Sequence, residues 1–480
     1  MLLVLVTIYL IFSIALGLIA SRRVHSASDY ITAGRSLPMP MVMAMVFATW
    51  FGAETVLGIS ATFLDEGFRG LISDPLGASV CLVLFGLVFA LPLYRLKLMT
   101  LGDFFHIRYN KKTELILSFC IMLSYLGWVS AQVTALGLVF NVLSEGSISM
   151  TQGMLIGASV VLAYTLFGGM WSVAVTTCVQ MVVIVIGLFL VTSSASEMAG
   201  GIGGVIAKAS AEGKFAWLPT MDLIDILGWM AAFFTMALGS IPQQDVFQRV
   251  NTSKNETVAV WATTLGGVSY FFFAAVPLFL AYSVSMIDAD LTAELMDVDS
   301  QLVLPTFVLN YMPFWLQAVF FGALLSVIMS TASSTLLAPS VTFTENILKN
   351  LRPDMDDAQL LKSTRITVFG FTLLVVANSL MSETDIHGMV ENAYRVTLAG
   401  VFVPLTAGLF WRRASNLGAA LAMGLGLGSW LLLEILVPDI SFEPQLVGLA
   451  LSLIGMLVGS YISPNPNAAN QNGIAEPRPV

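Results

Sequence analysis

The sequence predicts an all-α polytopic membrane protein with about thirteen transmembrane helices. Hydrophobic residues make up 57% of the 480 residues and charged residues only 11%, and the mean hydropathy is +0.86. Water-soluble proteins carry roughly 25% charged residues, so lipid must cover much of this apolar surface. Apolar runs of about 20 residues, bounded by charges or turn residues, also recur along the chain.

These apolar runs give thirteen candidate spans in chain order. They are 2–20, 38–64, 73–94, 114–143, 151–167, 172–193, 222–244, 257–286, 303–347, 364–382, 388–411, 416–437 and 444–461. The run 303–347 is too long for one crossing, so we expect a short outer helix around Pro305 and a spanning helix from about Trp315. The first run lacks a basic segment before it, and we interpret it as a retained anchor helix rather than a signal peptide.

The distribution of basic residues predicts the orientation. With the N-terminus outside, seventeen of the 21 Lys and Arg residues fall on one side of the membrane and three on the other. The positive-inside rule therefore predicts a multi-pass protein of the inner (plasma) membrane with an outer N-terminus and a cytoplasmic C-terminus. The predicted organisation is an anchor helix and loop (1–37), a first repeat of five helices (38–193), an outer loop (194–221), a second repeat of five helices (222–411), two peripheral helices (412–463) and a disordered cytoplasmic tail (464–480).

Two spans of opposite direction carry similar interruptions. Counting core spans from 38–64, the first contains Gly52 close to Glu54, and the sixth, 222–244, contains Gly239 close to Pro242. An offset of five spans between two spans of opposite direction gives the topology of an inverted repeat, and paired interruptions are typical of a transporter binding site. The alternative is the ordinary tolerance of Gly and Pro in membrane helices.

The eighth core span is unusually rich in hydroxyl groups. Ser330 and Thr331 are adjacent in it, and both side chains can reach one ion lodged beside the helix. A sodium ion in a membrane protein needs about five oxygen ligands, which broken helices and hydroxyls supply. The alternative is that these hydroxyls bond to the preceding turn of their own helix.

Four segments resemble motifs of the sodium:solute symporter family, in particular its proline and choline transporter branches. They are the Gly-Gly corner within 164–180, the Met-Ser-Thr run at 329–331, the segment 408–419 and the segment 241–250. The resemblance spans roughly residues 5 to 460. It implies a LeuT-like fold, a 5+5 inverted repeat with broken first and sixth core helices, and symport by alternating access.

The resemblance also implies a sodium site. Its ligands are the carbonyls of Ala48, Phe51 and Val327 and the hydroxyls of Ser330 and Thr331. Many family members carry an Asp that serves a second cation site, and the corresponding position here is identified as Cys178. We therefore expect one coupled sodium.

The predicted substrate-binding residues are Trp50, Glu54, Trp128, Met236 and Gln243. Both tryptophans lie near mid-span rather than in the interfacial belts. Trp50 corresponds to a cage aromatic of the choline branch and Trp128 to a substrate-site aromatic of the proline branch. The alternative for each is ordinary packing. Glu54 is a functional candidate because charges at membrane depth are costly; it faces the substrate, pairs with a cation or lines the outer vestibule.

Other charged residues have simpler interpretations. Glu391 and Arg395 are spaced i, i+4 and form either an ion pair or an outer gate. Asp245 and Arg249 have the same spacing at the inner end of the sixth core span, where an interfacial pair is favoured over a ligand. Asp74 is expected to open the second core span at the outer surface, where a carboxylate favours a helix start.

The predicted function is sodium-coupled symport of a small organic solute, an amino acid such as proline or a small organic acid. A choline- or betaine-like quaternary ammonium compound is the alternative: Trp50 suits it, but Gln243 replaces a cage Trp of the choline branch. A channel and a transporter-derived sensor also remain open. An enzyme is not expected, because the three histidines, His25, His106 and His387, lie in separate loops.

The predicted partners are the sodium ion, the solute and the lipid bilayer, with no nucleic acid. No cofactor is expected besides sodium as the coupling ion.

Overall fold

The computed structural model describes residues 1–382, 386–437 and 442–464, and these residues fold into helices without a strand. The first helix is Leu2–Ala20, followed by the short helix Ala27–Thr32. The end of the chain, which was expected to be a disordered tail, lies outside the described residues from 465 onward. The predicted domain boundaries stay predictions.

Ten core helices follow, and they are named here in chain order. Core helix 1 comprises Met39–Trp50 and residues 54–66, core helix 2 comprises residues 72–95, and core helix 3 is Lys111–Leu143. Core helices 4 and 5 are the two arms of Met150–Met198, and core helix 6 comprises Leu223–Ala237 and Gln244–Thr252. Core helices 7, 8 and 9 are Glu256–Ile287, Phe314–Thr342 and Asp357–Met381, and core helix 10 comprises Ile386–Gly400 and Phe402–Phe410. Two C-terminal helices, Asn416–Leu436 and Pro444–Ile462, complete the bundle.

Shorter helices connect these elements. They are Leu101–Arg108, Ile202–Ala211, Ala289–Asp299 and Val303–Tyr311. The last of these is the helix predicted around Pro305, and core helix 8 begins at Phe314, one residue before the predicted start. Several helices begin with a capping box, in which a Ser, Thr, Asn or Asp side chain satisfies a free N–H of the first turn.

The described residues contain nine helices long and apolar enough to cross a membrane, or ten if the bent core helix 10 counts as one span. The longest of these nine is too long for one crossing. Met150–Met198 has 49 residues, and at roughly 1.5 Å per residue a straight helix of that size would measure about 74 Å, against about 30 Å of hydrocarbon. The total of thirteen crossings stays a prediction.

The Gly-Gly corner divides this long helix into core helices 4 and 5. Gly169 has φ 48° and ψ −133°, a conformation that is almost exclusive to glycine. A side chain would also collide here, because an ideal Cβ on Gly169 would lie 2.5 Å from the carbonyl oxygen of Tyr30. The corner therefore needs glycine for both backbone and packing reasons.

Core helices 1 and 6 are both broken, as the sequence predicts. Core helix 1 stops at Trp50, and Phe51 leaves the helix with φ −85° and ψ 78°. Core helix 6 stops at Ala237 and resumes at Gln244, and Pro242, which has no N–H to donate, lies in the gap.

Core helix 8 lies at the centre of the bundle. Every residue from 323 to 342 on it is buried, so this helix is enclosed by protein rather than lipid. Its run of hydroxyl groups consequently faces other helices on all sides.

Candidate functional site

The predicted sodium ligands meet where core helix 8 passes the break in core helix 1. The Oγ atom of Ser330 lies 2.9 Å from the carbonyl oxygen of Ala48 and 2.8 Å from that of Val327. The hydroxyl of Thr331 lies 3.3 Å from the same Ala48 oxygen. Ala48, Val327, Ser330 and Thr331 are fully buried, so the structure brings four of the five predicted oxygen ligands together.

The break explains why the Ala48 carbonyl is available. Carbonyls in the last turn of a helix have no backbone partner within it. Phe47 still accepts a hydrogen bond from the N–H of Phe51, 2.9 Å away, but the helix ends before Ala48 can be paired in the same way. The hydroxyls of Ser330 and Thr331 take the place of that missing donor. Carbonyl and hydroxyl oxygens of this kind suit a hard cation such as sodium.

Phe51, whose carbonyl is the fifth predicted ligand, lies directly past the end of the helix. Its ring stacks on Phe47 with centroids 5.2 Å apart and meets Tyr270 edge to face at 6.1 Å. The structure thus places Phe51 at the break, while the role of its carbonyl stays a prediction.

Four aromatic side chains from three core helices form one buried group beside the break. This aromatic cluster consists of Trp50, Tyr125, Trp128 and Tyr394. Trp128 lies 5.8 Å from Trp50, 5.9 Å from Tyr125 and 5.6 Å from Tyr394, measured between ring centroids. Trp50 also stacks on Tyr394 at 6.2 Å. The two predicted tryptophans are therefore neighbours at the centre of the protein.

Each indole N–H of the cluster donates to a buried carboxylate. Trp50 Nε1 lies 3.1 Å from Asp245 Oδ2, and Trp128 Nε1 lies 3.1 Å from Glu54 Oε1. Tyr125 donates its hydroxyl to the other oxygen of Asp245. Glu54 and Asp245 are both at most 2% exposed.

Gln132 connects Glu54 to the broken backbone. Its Nε2 donates to Glu54 Oε2 at 2.6 Å, and its Oε1 accepts the N–H of Ala53 at 3.0 Å. Glycine at position 52 leaves room for this carboxylate, because an ideal Cβ there would lie 2.7 Å from Glu54 Oε1. Gln132 thus satisfies both a free N–H at the break and the buried acid next to it.

The interpretation of Asp245 and Arg249 as an interfacial ion pair is wrong. Both are at most 1% exposed, and the ion pairs found among the described residues do not include them. Arg249 instead lies 3.3 Å from Thr49 Oγ1 and 3.6 Å from Met170 Sδ. Core helix 6 resumes at Gln244 inside the protein, so the whole segment Gln244–Thr252 is buried.

The interpretation of Asp74 as a helix start at the outer surface is also wrong. Asp74 is 2% exposed and lies in a non-helical turn within residues 72–77. Its carboxylate accepts a hydrogen bond from the hydroxyl of Tyr270 on core helix 7. Tyr270 lies 3.0 Å from Thr55 Oγ1, which in turn donates to the carbonyl of Trp50 at 3.3 Å. Asp74 is therefore connected to the break by a chain of hydrogen bonds.

The other predicted residues occupy neighbouring positions. Gln243 is buried and donates through Nε2 to Ser124 Oγ at 2.8 Å, while its Oε1 has no partner among the described residues. Met236 is also buried, with Sδ 4.0 Å from Ser240 Oγ. Cys178 is half-buried, whereas its neighbour Thr177 is fully buried and its hydroxyl has no partner in the described part of the chain.

Arg395 lies close to three carboxylates rather than one. It is 4.0 Å from Glu391, 3.7 Å from Glu434 and 3.5 Å from Glu443. The last two belong to the C-terminal helix Asn416–Leu436 and to the residue before Pro444–Ile462. The predicted pair is present, and its guanidinium also connects core helix 10 to the C-terminal helices.

Four residues of the site were not selected as ligands from the sequence: Tyr125, Gln132, Asp245 and Tyr394. Tyr125 and Gln132 lie three residues before and four after Trp128, on the same helix face, and this spacing is a usable signal. Tyr394 lies on core helix 10, far away in sequence, and no local pattern points to its contact with Trp50.

Comparisons with known proteins agree with this architecture. A profile of the sodium:solute symporter family matches residues 30–426. The human high affinity choline transporter 1 is 28% identical over 398 residues, covering 81% of this chain and 68% of that protein. The high-affinity proline transporter PutP of Bacillus subtilis is 24% identical, covering 95% and 96%. The sodium/sialic acid symporter NanT of Aliivibrio fischeri is 26% identical, covering 86% and 84%.

The fold resembles that of a solved transporter. A Na⁺-coupled sialic acid symporter in a substrate-bound outward-open state superposes with a TM-score of 0.82 at 17% identity, covering 96% of this chain and 98% of that one. The fold is therefore LeuT-like, with broken first and sixth core helices. The family match over most of the sequence shows that the chain belongs to the sodium:solute symporter family.

Proposed function

We propose that this protein imports a small organic solute by sodium-coupled symport with alternating access. Its family is one of transporters. The observation that carries the proposal is the meeting of two core helix 8 hydroxyls with the Ala48 carbonyl, which is 282 residues away in sequence from Ser330. Nothing in the local structure of core helix 8 alone requires this contact.

Sodium would be held by the carbonyls of Ala48, Phe51 and Val327 and the hydroxyls of Ser330 and Thr331. The two hydroxyls hydrogen-bond to carbonyls within this group. A hydroxyl also has acceptor lone pairs, so rotation of its proton away from the carbonyl turns the same oxygens toward a cation. Five oxygens then replace the hydration shell of the ion.

The solute would occupy the aromatic cluster and the adjacent polar groups. Trp50, Glu54, Trp128 and Gln243 are each at most 2% exposed. Such enclosure supports an occluded carrier site over the continuous pore of a channel. Inner and outer access would then alternate by movement around the two broken helices.

Two solute classes from the sequence remain candidates. An amino acid such as proline, or a small organic acid, is favoured by Gln243 Oε1 and the hydroxyl of Tyr394, which have no partners among the described residues. A choline- or betaine-like compound is favoured by the aromatic cluster, because ammonium groups bind the faces of aromatic rings.

The sodium site can be tested without knowing the solute. We expect sodium chloride to raise the unfolding temperature of the purified protein above its value in equal potassium chloride. The double variant Ser330→Ala, Thr331→Ala should lose this difference because it lacks both hydroxyl ligands. Ser340→Ala is the matched control, since its buried hydroxyl bonds only to Leu336 of its own helix, at 2.9 Å.

The same variants test coupling in proteoliposomes. Uptake of a panel of labelled solutes under an inward sodium gradient should fall to background in the double variant and persist in Ser340→Ala. Sodium-dependent uptake by the double variant would place the site elsewhere.

A further inference from the structure

We propose that an anionic phospholipid binds with its phosphate group in a cleft at the connection between core helices 8 and 9. This basic cleft has a volume of about 670 Å³, and its lining includes Arg352, Asp354, Lys362 and Ile366. The bias of basic residues predicts that the connection faces the cytoplasm. The lipid would therefore belong to the cytoplasmic leaflet.

The walls of the basic cleft are two helix ends held by hydrogen bonds. Helical turns continue beyond core helix 8 as far as Leu351, and the N–H of Arg352 donates to the carbonyl of Leu348 at 2.9 Å. On the other side, core helix 9 begins with a capping box. Asp356 Oδ1 accepts the N–H of Gln359 at 2.7 Å, and Gln359 Oε1 accepts the N–H of Asp356 at 3.3 Å.

The charged side chains of the lining leave an excess of positive charge. Arg352, Asp354 and Lys362 are all exposed. The ion pairs found within residues 1–382, 386–437 and 442–464 include none of these three. Two cations and one carboxylate give the basic cleft a net charge of about +1 at neutral pH.

The charged neighbours of the basic cleft interact with other parts of the protein. Lys349 pairs with Glu345 at 3.0 Å. The carboxylate of Asp357 accepts the backbone N–H of Ala27, with its nearer oxygen 3.0 Å away. Arg365 donates to a backbone carbonyl of core helix 4 at 3.0 Å. These contacts direct the neighbouring charges away from a ligand in the basic cleft.

An apolar stripe on core helix 9 continues from the basic cleft toward the membrane interior. Ile366, Phe369 and Leu373 follow Lys362 at intervals of four, three and four residues, so all four lie on one helix face. The three apolar side chains are exposed. Lys362 and Leu373 are separated by about 16 Å along the helix, which is about half of the roughly 30 Å hydrocarbon thickness.

This arrangement matches the structure of a phospholipid. A guanidinium and an ammonium bind phosphate oxygens through charge-assisted hydrogen bonds, and the stripe offers an apolar surface to one acyl chain. Basic clefts between membrane helices on the cytoplasmic side are known to bind lipid headgroups. A free phosphate ion would make no use of the stripe, so the observations favour a lipid whose headgroup carries one net negative charge.

The test measures thermal stabilisation of the purified full chain in detergent by added lipid. Phosphatidylglycerol and phosphatidylcholine with identical acyl chains are the two lipid probes, and inorganic phosphate and glycerol 3-phosphate are the soluble ones. We expect saturable stabilisation by phosphatidylglycerol alone. Equal stabilisation by phosphatidylcholine would contradict recognition of charge, and equal stabilisation by either soluble phosphate would contradict a lipid ligand.

Charge variants of the basic cleft test the assignment of residues. Each cation near an anionic lipid contributes about five-fold in affinity, so Arg352→Gln, Lys362→Gln should raise the phosphatidylglycerol concentration for half-maximal stabilisation about 30-fold. Asp354→Asn should lower it about five-fold, because it removes a repulsive charge. Lys97→Gln, Lys254→Gln is the matched control, since both residues are exposed, predicted to lie on the same side and outside the basic cleft.

The control variant should bind phosphatidylglycerol as the wild type does. An equal loss of affinity in this control would reveal general attraction to basic surface residues and would overturn the proposed site. Unchanged affinity in the double variant of the basic cleft, or weaker binding in Asp354→Asn, would overturn it as well.

Discussion

At the scale of single residues, Gln132 holds the break of core helix 1 to core helix 3. Replacing it with Leu would remove the hydrogen bonds that Gln132 makes to the N–H of Ala53 and to Oε2 of Glu54. Each unsatisfied buried group costs about 1–3 kcal/mol. We therefore expect Gln132→Leu to lower the unfolding temperature and to reduce sodium-driven uptake.

The control for this change lies on the same helix. The hydroxyl of Thr134 has no partner among the described residues, so Thr134→Val removes a polar atom without breaking a hydrogen bond. This variant should be as stable as the wild type or slightly more stable. Equal effects of the two substitutions, measured by thermal unfolding in detergent, would contradict the bridging role of Gln132.

The sequence predicts some of these residue contacts and not others for identifiable reasons. Ser330, Thr331 and Ala48 were placed through short motifs, and the structure brings them together. Asp245 was misplaced because its burial depends on where core helix 6 resumes, which the sequence does not specify. Tyr394 was missed because its contact with Trp50 is made only by packing of core helix 10.

At the scale of elements, the corner between core helices 4 and 5 is a strongly constrained backbone position. Gly169→Ala would place a side chain on a residue whose φ is 48°, in the left-handed region. Its Cβ would also lie 2.5 Å from the carbonyl oxygen of Tyr30. The backbone conformation alone costs about 1–3 kcal/mol. We expect little monodisperse protein, or a marked fall in unfolding temperature.

A second glycine shows whether the corner itself is responsible. Gly370 lies inside core helix 9, and no atom would meet a Cβ there within 4 Å. Alanine is favoured over glycine in a helix interior by about 1 kcal/mol, so Gly370→Ala should be neutral or stabilising. Normal folding of Gly169→Ala would contradict the account of the corner.

Element boundaries were predictable where Gly and Pro interrupt apolar runs. Gly52 and Pro242 indicated the two breaks, and the run 303–347 divides into Val303–Tyr311 and Phe314–Thr342 as expected. The turn that buries Asp74 was not predictable from the sequence. An acid at the start of an apolar span gives the same sequence pattern whether it caps a helix at the surface or is buried against another helix. Only packing against Tyr270 distinguishes the two cases.

At the scale of the whole molecule, charge bias predicts the orientation, and the prediction can be checked by labelling. Cys81 and Cys120 are buried and Cys178 is half-buried, so a new exposed cysteine should dominate the reaction. An impermeant thiol reagent applied to intact cells should label Asp297→Cys and spare Lys254→Cys, because the first site is predicted outside and the second inside. The reverse pattern would invert the topology.

The overall architecture was predictable because it follows from the need to place apolar segments in lipid. It does not require knowledge of particular side-chain contacts. A chain with 11% charged residues has few alternatives to a helical bundle in a membrane. Oligomeric state and solute identity depend instead on surfaces and pockets whose members come from distant parts of the chain. The aromatic cluster, built from core helices 1, 3 and 10, is such a case.

The central claim is that a sodium ion binds between the broken core helix 1 and core helix 8. Equilibrium binding of radioactive sodium to the purified protein tests it most directly. The account predicts saturable binding of about one ion per chain, lost in Ser330→Ala, Thr331→Ala and retained in Ser340→Ala. Saturable binding of the same affinity in the double variant would contradict it.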